Sequence, residues 1–195
     1  YDVTEGAVLV DGVDVRDYKL EELGSKIGYI AQKPILFSGT IESNLTLGLS
    51  KGSKPEMESV EKAVDVSQSK FVSIMENGLK SEIYQGGKNI SGGQKQRLSI
   101  ARALARNPEI LIFDDSFSAL DYKTDKLLRQ AIKKEFADTT CLIVAQRIGT
   151  IKDADRIIVL QDGEVVGDGV HKDLLKNCEV YKEIALSQLS KEELD

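Results

Sequence analysis

Apolar and polar positions change rhythm several times along the chain. GAVLVDGVDV alternates them around Asp11-Gly12, the pattern of a hairpin with a tight turn. KIGYIAQ predicts a short strand ending at Gln32, and Pro34 stops regular structure after it. TIESNLTLG predicts a short helix and loop. From residue 51 the spacing becomes helical. Met57, Val60, Val64, Val66, Phe71, Val72 and Met75 predict one or two amphipathic helices ending at Gly78. A glycine-rich loop, YQGGKNISGGQ, precedes a helix from about Gln94 to Arg106, which Asn107-Pro108 ends. Residues 109–113 predict a strand, and 122–137 a helix with Leu127, Leu128, Ala131 and Ile132 as its apolar positions. TTCLIVA is another β-rich run. RIIVLQDGEVVGDG predicts a second hairpin around Asp162-Gly163, and a last helix is expected at about 178–190. Strands alternating with helices predict an α/β protein. The runs 110–113 and 141–145 lack polar alternation and suit the centre of a sheet covered on both faces.

Composition narrows the functional classes. The 195 residues suffice for one domain with a real core. The balance of 32 acidic against 26 basic residues, net −6, argues against nucleic-acid binding by a broad basic surface. No apolar run reaches the roughly 18 residues of a membrane span. YDVTEGAVLV lacks the basic start of a signal peptide. Work at a membrane would require docking onto another polypeptide. Cys141 and Cys178 read as reduced, structural thiols. The single histidine, His171, argues against a His-based triad or zinc centre.

Chemistry concentrates in two neighbouring stretches. In NISGGQKQRLSIARALAR, Gly92 and Gly93 let the backbone approach a ligand, and Ser91 can cap the helix that follows. Backbone N–H groups at such a helix start form an anion site, although a loop and cap alone would use the same residues. Leu98, Ile100, Ala101, Leu104 and Ala105 form one side of the helix; Lys95, Arg102 and Arg106 form the other. Then comes ILIFDDSFSALD at 110–121. Aspartates at the carboxyl end of a buried strand can hold Mg²⁺ or act on an attacking water; equally, they can serve as a cap and turn.

In combination, ISGGQ, a basic helix, four apolar residues, an acidic pair and SALD strongly resemble the nucleotide-binding domain of an ABC transporter, from about Gly6 to Tyr181. The resemblance implies an α/β, P-loop NTPase-like core with a mostly parallel central sheet and an antiparallel β subdomain. It places the core at about 1–50 and 107–195, and a helical signature subdomain at about 51–106. By resemblance Ser91, Gly92, Gly93 and Gln94 are the signature motif, facing the γ-phosphate of an ATP held mainly by the opposing domain of a dimer. Asp114 is the Walker B aspartate that organises Mg²⁺. Gln32 is the Q-loop glutamine that reaches Mg²⁺ and the attacking water. Asp121 closes the D-loop across the dimer interface. PILFSGTIESNL, SEIYQGG with Glu82 at its acidic position, and GDGVHKDLL resemble the exporter class. The implied cofactors are ATP and Mg²⁺. The implied partners are a second nucleotide-binding domain and the coupling helices of a transmembrane domain, at the cytoplasmic face of the cell membrane.

The sequence departs from the family pattern in three places. No G-x-x-x-x-G-K-[ST], the phosphate-wrapping Walker A motif, occurs in it. The nearest imitation, GLSKGSK at 48–54, has its glycines one residue too close, and Ser53 intervenes before Lys54. The chain is therefore expected to be truncated at its N-terminus, missing the P-loop strand and helix, and to be inactive alone, with self-association through an incomplete sheet an open outcome. Asp115 stands where the family has glutamate as general base, one methylene shorter. Gln146 stands where the family has its switch histidine and cannot carry a positive charge. Asp115 and Gln146, the candidate catalytic positions, together resemble the degenerate subunit of a heterodimeric multidrug exporter. The competing readings are a non-catalytic ABC-like dimerisation module and an unrelated α/β ligand-binding domain.

Overall fold

The computed structural model describes residues 2–47 and 56–189, so GLSKGSK at 48–54 lies outside the described residues. The chain divides into two compact units, Tyr1–Leu142 and Ile143–Asp195.

The first unit opens on a hairpin of β1 (Leu9–Val10) and β2 (Val13–Asp14), with Leu9 opposite Asp14 and Val10 opposite Val13. Asp11 and Gly12 both take left-handed backbone, φ 49° and 79°, which matches the strand twist that a two-residue hairpin needs. Helix α1 (Leu20–Lys26) leads into β3 (Ile27–Ile30). Lys26 bridges Asp11 at 3.0 Å and Glu109 at 2.8 Å, tying the hairpin to the start of a later strand. Next come β4 (Gly39–Thr40) and α2 (Ile41–Leu45), which begins with a reciprocal cap between Thr40 and Ser43. The amphipathic stretch splits into α3 (Met57–Val66) and α4 (Phe71–Ile74). The interruption falls at Gln68, whose φ of 58° no helix tolerates. Gly78 starts a short 3₁₀ turn, and β5 (Glu82–Ile83) pairs antiparallel with β4.

Helix α5 (Gly92–Leu104) starts two residues earlier than the apolar pattern indicates, because the Ser91 cap precedes the first apolar position. It buries Leu98, Ile100, Ala101 and Leu104. Strand β6 (Ile110–Asp114) pairs in parallel with β3, Ile27 with Ile110 through Ile30 with Phe113. Helix α6 (Tyr122–Glu135) and strand β7 (Thr140–Val144) follow, giving the sheet order β3-β6-β7. Strand β6 is central, as its unbroken apolar run indicates. The same expectation for 141–145 is corrected. Strand β7 is last in the order, with Leu142 and Val144 more than half exposed, because no described strand pairs with its other edge.

The second unit holds α7 (Ile148–Ile151), then the hairpin β8 (Ile157–Gln161) and β9 (Glu164–Gly169), turning at Asp162-Gly163 as predicted. A helix that the pattern did not indicate, α8 (His171–Asn177), precedes the expected last one, α9 (Glu179–Gln188), with Cys178 between them in extended conformation. Ile148, Ile157, Val159, Leu174, Tyr181 and Ala185 form its core. The Tyr181 hydroxyl lies 2.8 Å from His171 Nδ1. Burial pushes the Tyr181 phenol up to about 12. Burial, with Lys152 and Lys172 adding to it, holds the His171 imidazole below its ordinary 6.5. An unfolded chain therefore takes up the proton first as pH falls, and the unit loses stability below about 6.5 until the folded imidazole titrates too. With one histidine in the sequence, urea unfolding at pH 7 and 5.5 isolates the effect. The midpoint should drop at the lower pH, and His171→Gln should flatten that dependence.

Candidate functional site

Two parallel strands carry the candidate centre. Asp114 ends β6, and its Oδ2 accepts a hydrogen bond from the Tyr29 hydroxyl of β3 at 2.7 Å. That bond to a carboxylate raises the Tyr29 phenol above its ordinary value. Just beyond β3, Gln32 Nε2 donates to Asp115 Oδ2 at 3.2 Å. Residues 83 apart thus meet because β3 and β6 lie side by side in register. Asp115 has φ 43°, the left-handed region that aspartate enters more readily than longer side chains. The turn after it is closed by Ser118, whose Oγ donates to the Asp115 carbonyl at 2.7 Å.

Ser91 and Gln94 form a reciprocal cap. Gln94 N–H donates to Ser91 Oγ at 3.3 Å, and Ser91 N–H to Gln94 Oε1 at 2.9 Å. Both side chains that resemblance assigns to nucleotide contact therefore also shape the helix start. Gly92 and Gly93 are the first residues of α5, and neither has positive φ. A Cβ at Gly92 would meet nothing within 4 Å, and one at Gly93 would make only an ordinary 3.8 Å contact with the Ala119 carbonyl. Neither the backbone nor the packing of this chain requires glycine there, yet each costs helix stability of about 1 kcal/mol relative to alanine. Asp121 caps α6, accepting from the Thr124 N–H at 3.0 Å, and that bond holds its carboxyl below the usual range.

The basic side of α5 behaves differently from what its charges suggest. Lys95 Nζ donates to the Gly86 carbonyl, Arg106 Nη2 to that of Gly24, and Arg102 to those of Ile35 and Asn44. These cations hold neighbouring backbone, in α1, in α2 and in the loops, close to α5 and the turn after it. Arg97, unremarked in the pattern, donates to the carbonyls of Gln68 and Gly93 and lies against the Phe71 ring. Burial lowers its pKa, while the Asp121 charge acts in the opposite direction. Gln96 is fully buried and reaches the Ala31 carbonyl at 3.4 Å. Only the packing reveals it, since a glutamine on an amphipathic helix reads as solvent-facing. Gln146 belongs to the second unit and is exposed; its carbonyl accepts from Gln188 Nε2 at 2.8 Å.

ABC transporter is the family whose model matches, over residues 1–118. The chain belongs to the ABC transporter family. An ABC transporter ATP-binding protein of Mycobacterium tuberculosis is 45% identical over 188 residues, 96% of this chain and 32% of that protein. Multidrug resistance protein 1 of Entamoeba histolytica is 39% identical over 196 residues, 100% of this chain and 15% of that protein. The solved structure of a bacterial Atm1-family ABC exporter with ATP bound superposes with a TM-score of 0.90 at 33% identity, covering 98% of this chain and 33% of that one. The chain is thus similar to the ATP-binding domains of ABC exporters, and it spans a third or less of the length of these relatives.

ATP with Mg²⁺ is the family's general cofactor. The residues present fit one edge of such a site. Asp114, Asp115 and Gln32 offer hard oxygen donors at the strand ends, and Mg²⁺ ordinarily takes one or two carboxylates, its remaining ligands being water and phosphate. Among the described residues no cluster of three or more His, Cys, Asp or Glu can hold a metal unaided. The phosphate-wrapping G-x-x-x-x-G-K-[ST] loop is not in the sequence. The set does not fit a whole MgATP site, and no step of hydrolysis is assigned to this chain by itself.

Proposed function

We propose that this chain serves ATP-powered export by an ABC transporter, contributing a signature motif and a catalytically weak Walker B edge. The contact of Gln32 with Asp115 carries this reading. It supports the reading because Gln32 and Asp115, far apart in sequence, meet through a 3.2 Å hydrogen bond. Asp114 is the Mg²⁺-organising residue, with Gln32 reaching the same ion. Ser91, Gly92, Gly93 and Gln94 face the γ-phosphate of an ATP whose cradle the opposing domain supplies, and Asp121 lies toward that domain. Residues of about 51–106 act as the signature subdomain, and about 1–50 and 107–195 as the core. Asp115 and Gln146 make this the degenerate partner of a heterodimer, docked on coupling helices at the cytoplasmic membrane face. A non-catalytic ABC-like dimerisation module is the second reading, favoured by the shorter acid at Asp115 and the uncharged amide at Gln146.

Calorimetry tests the division of labour. The isolated chain with MgATP should show no heat of binding up to millimolar nucleotide. A micromolar Kd would contradict the claim that the cradle must come from elsewhere. Mixing with a nucleotide-binding domain that carries its own phosphate loop should produce ATP-dependent association, and Ser91→Arg should abolish it. Turnover by the assembled transporter discriminates between the two readings.

A further inference from the structure

Arg102 lies ten residues into α5, well beyond the signature motif, and it has no place in the nucleotide chemistry above. Its three donors go to one short segment. Nε reaches the Asn44 carbonyl at 2.8 Å, Nη2 the Asn44 Oδ1 at 3.0 Å, and Nη1 the Ile35 carbonyl at 3.0 Å. The guanidinium also sits 5.9 Å from the Phe37 ring centroid. Asn44 is 1% exposed and closes the network from the other side. Its Oδ1 accepts from the Phe37 N–H at 2.8 Å, and its Nδ2 donates to the carbonyls of Phe37 and Thr40 at 2.8 and 3.0 Å.

Burial lowers the Arg102 pKa, and among the described residues the charge meets neutral acceptors, with no carboxylate to offset its desolvation. A half-buried cation held only by carbonyls and an amide is a costly way to stabilise a fold, since an apolar side chain of similar volume would pack there without the desolvation penalty. What the guanidinium adds is geometry: three donors in a rigid plane fix three acceptors relative to one another. The segment so fixed follows Gln32 and turns Ile35 and Phe37 outward, 64% and 52% exposed. At its other end Gln96, also on α5, holds the Ala31 carbonyl by a single 3.4 Å bond. Before Gln32 the helix is held by packing on β3, where a Cβ at Gly28 would meet Ala103 Cβ at 3.4 Å.

We infer that Arg102 is a positioning residue that locks the Ile35–Asn44 segment to the helix beginning at Ser91–Gln94, so that the segment and the motif move as one body. A displacement of the outward face at Ile35 and Phe37 is then carried along α5 to the signature end. The functional consequence rests on the reading of Ser91–Gln94 and Gln32 given above; the mechanical claim does not.

Amide exchange resolved by NMR on the 195-residue chain without nucleotide tests the lock. In the parent, the Phe37 amide and the first hydrogen-bonded amides of α5, from Lys95 on, should open together, with the same urea dependence. Arg102→Met should speed exchange at Phe37 at least about tenfold, the scale of one lost hydrogen bond to a charged group, and uncouple it from α5. Exchange at Ile100 to Leu104 should not change. Arg102→Lys keeps the charge without the planar fork, so it should recover only part of the protection; it also carries the comparison if the methionine variant does not fold. Unchanged exchange at Phe37 in both variants, or an equal rise throughout α5, overturns the proposal. Because no nucleotide is present, failure of the lock is distinct from failure of the functional reading, which the calorimetry decides.

Discussion

Asp115→Glu combined with Gln146→His, in a full-length transporter with an intact phosphate loop at the same site, is expected to raise single-turnover ATP hydrolysis there by roughly 10²–10⁴-fold, the range of a positioned general base. The Asp115 carboxylate is engaged by Gln32 at 3.2 Å and stands on a left-handed residue in a turn closed by Ser118. Its reach is therefore set by one methylene and a constrained backbone, and the added carbon of glutamate moves the carboxylate outward by about the length of one C–C bond. Left-handed backbone suits aspartate better than glutamate, so the gain should be accompanied by a small loss of stability, under about 1 kcal/mol. Inactivating the second composite site lets the measurement report this one alone. A rate unchanged from the parent would show that neither the acid's length nor the uncharged amide at Gln146 limits the site.

Phe113→Ala is expected to destabilise the first unit by about 3–5 kcal/mol. Phe113 is fully buried on the central strand, pairs in register with Ile30, and stacks on Phe117 with ring centroids 4.8 Å apart. Its removal leaves a cavity in the core just before Asp114 and also forfeits an aromatic pair. Urea unfolding checks this against Leu142→Ala on the exposed edge of β7, where the loss should stay under about 1 kcal/mol. Similar losses at both positions would contradict the assignment of β6 as centre and β7 as edge.

Hairpins, helices and most strand positions were legible because each depends on neighbours in sequence. Asp11-Gly12 and Asp162-Gly163 turn the chain by their own backbone preferences, and Ser91 with Gln94 announces the start of α5. The place of the break at Gln68 and the extra helix His171–Asn177 were not legible, the first because apolar spacing continues across it and the second because seven residues are too few to show a period. For 141–145 the composition suggested a covered central strand, but exposure depends on what lies alongside, and β7 has one strand neighbour among the described residues. The basic side of α5 misled for a related reason. Charge in a sequence does not say whether its partner is a phosphate or a carbonyl of a loop tens of residues away.

The sequence by itself determined the family, because ISGGQ, the ILIF strand with its acidic pair, and SALD are local words whose order is preserved in a linear reading. It also determined the chemical limits: a short acid at Asp115, an amide at Gln146 and no phosphate-wrapping loop. Only the tertiary structure decided that Tyr29 binds Asp114, that Gln32 meets Asp115, and that Arg102 holds Ile35 and Asn44. Those contacts join residues 58 to 85 apart. Their formation depends on the parallel register of β3 with β6 and on the way α5 packs against them, neither of which is encoded in any one stretch of the chain.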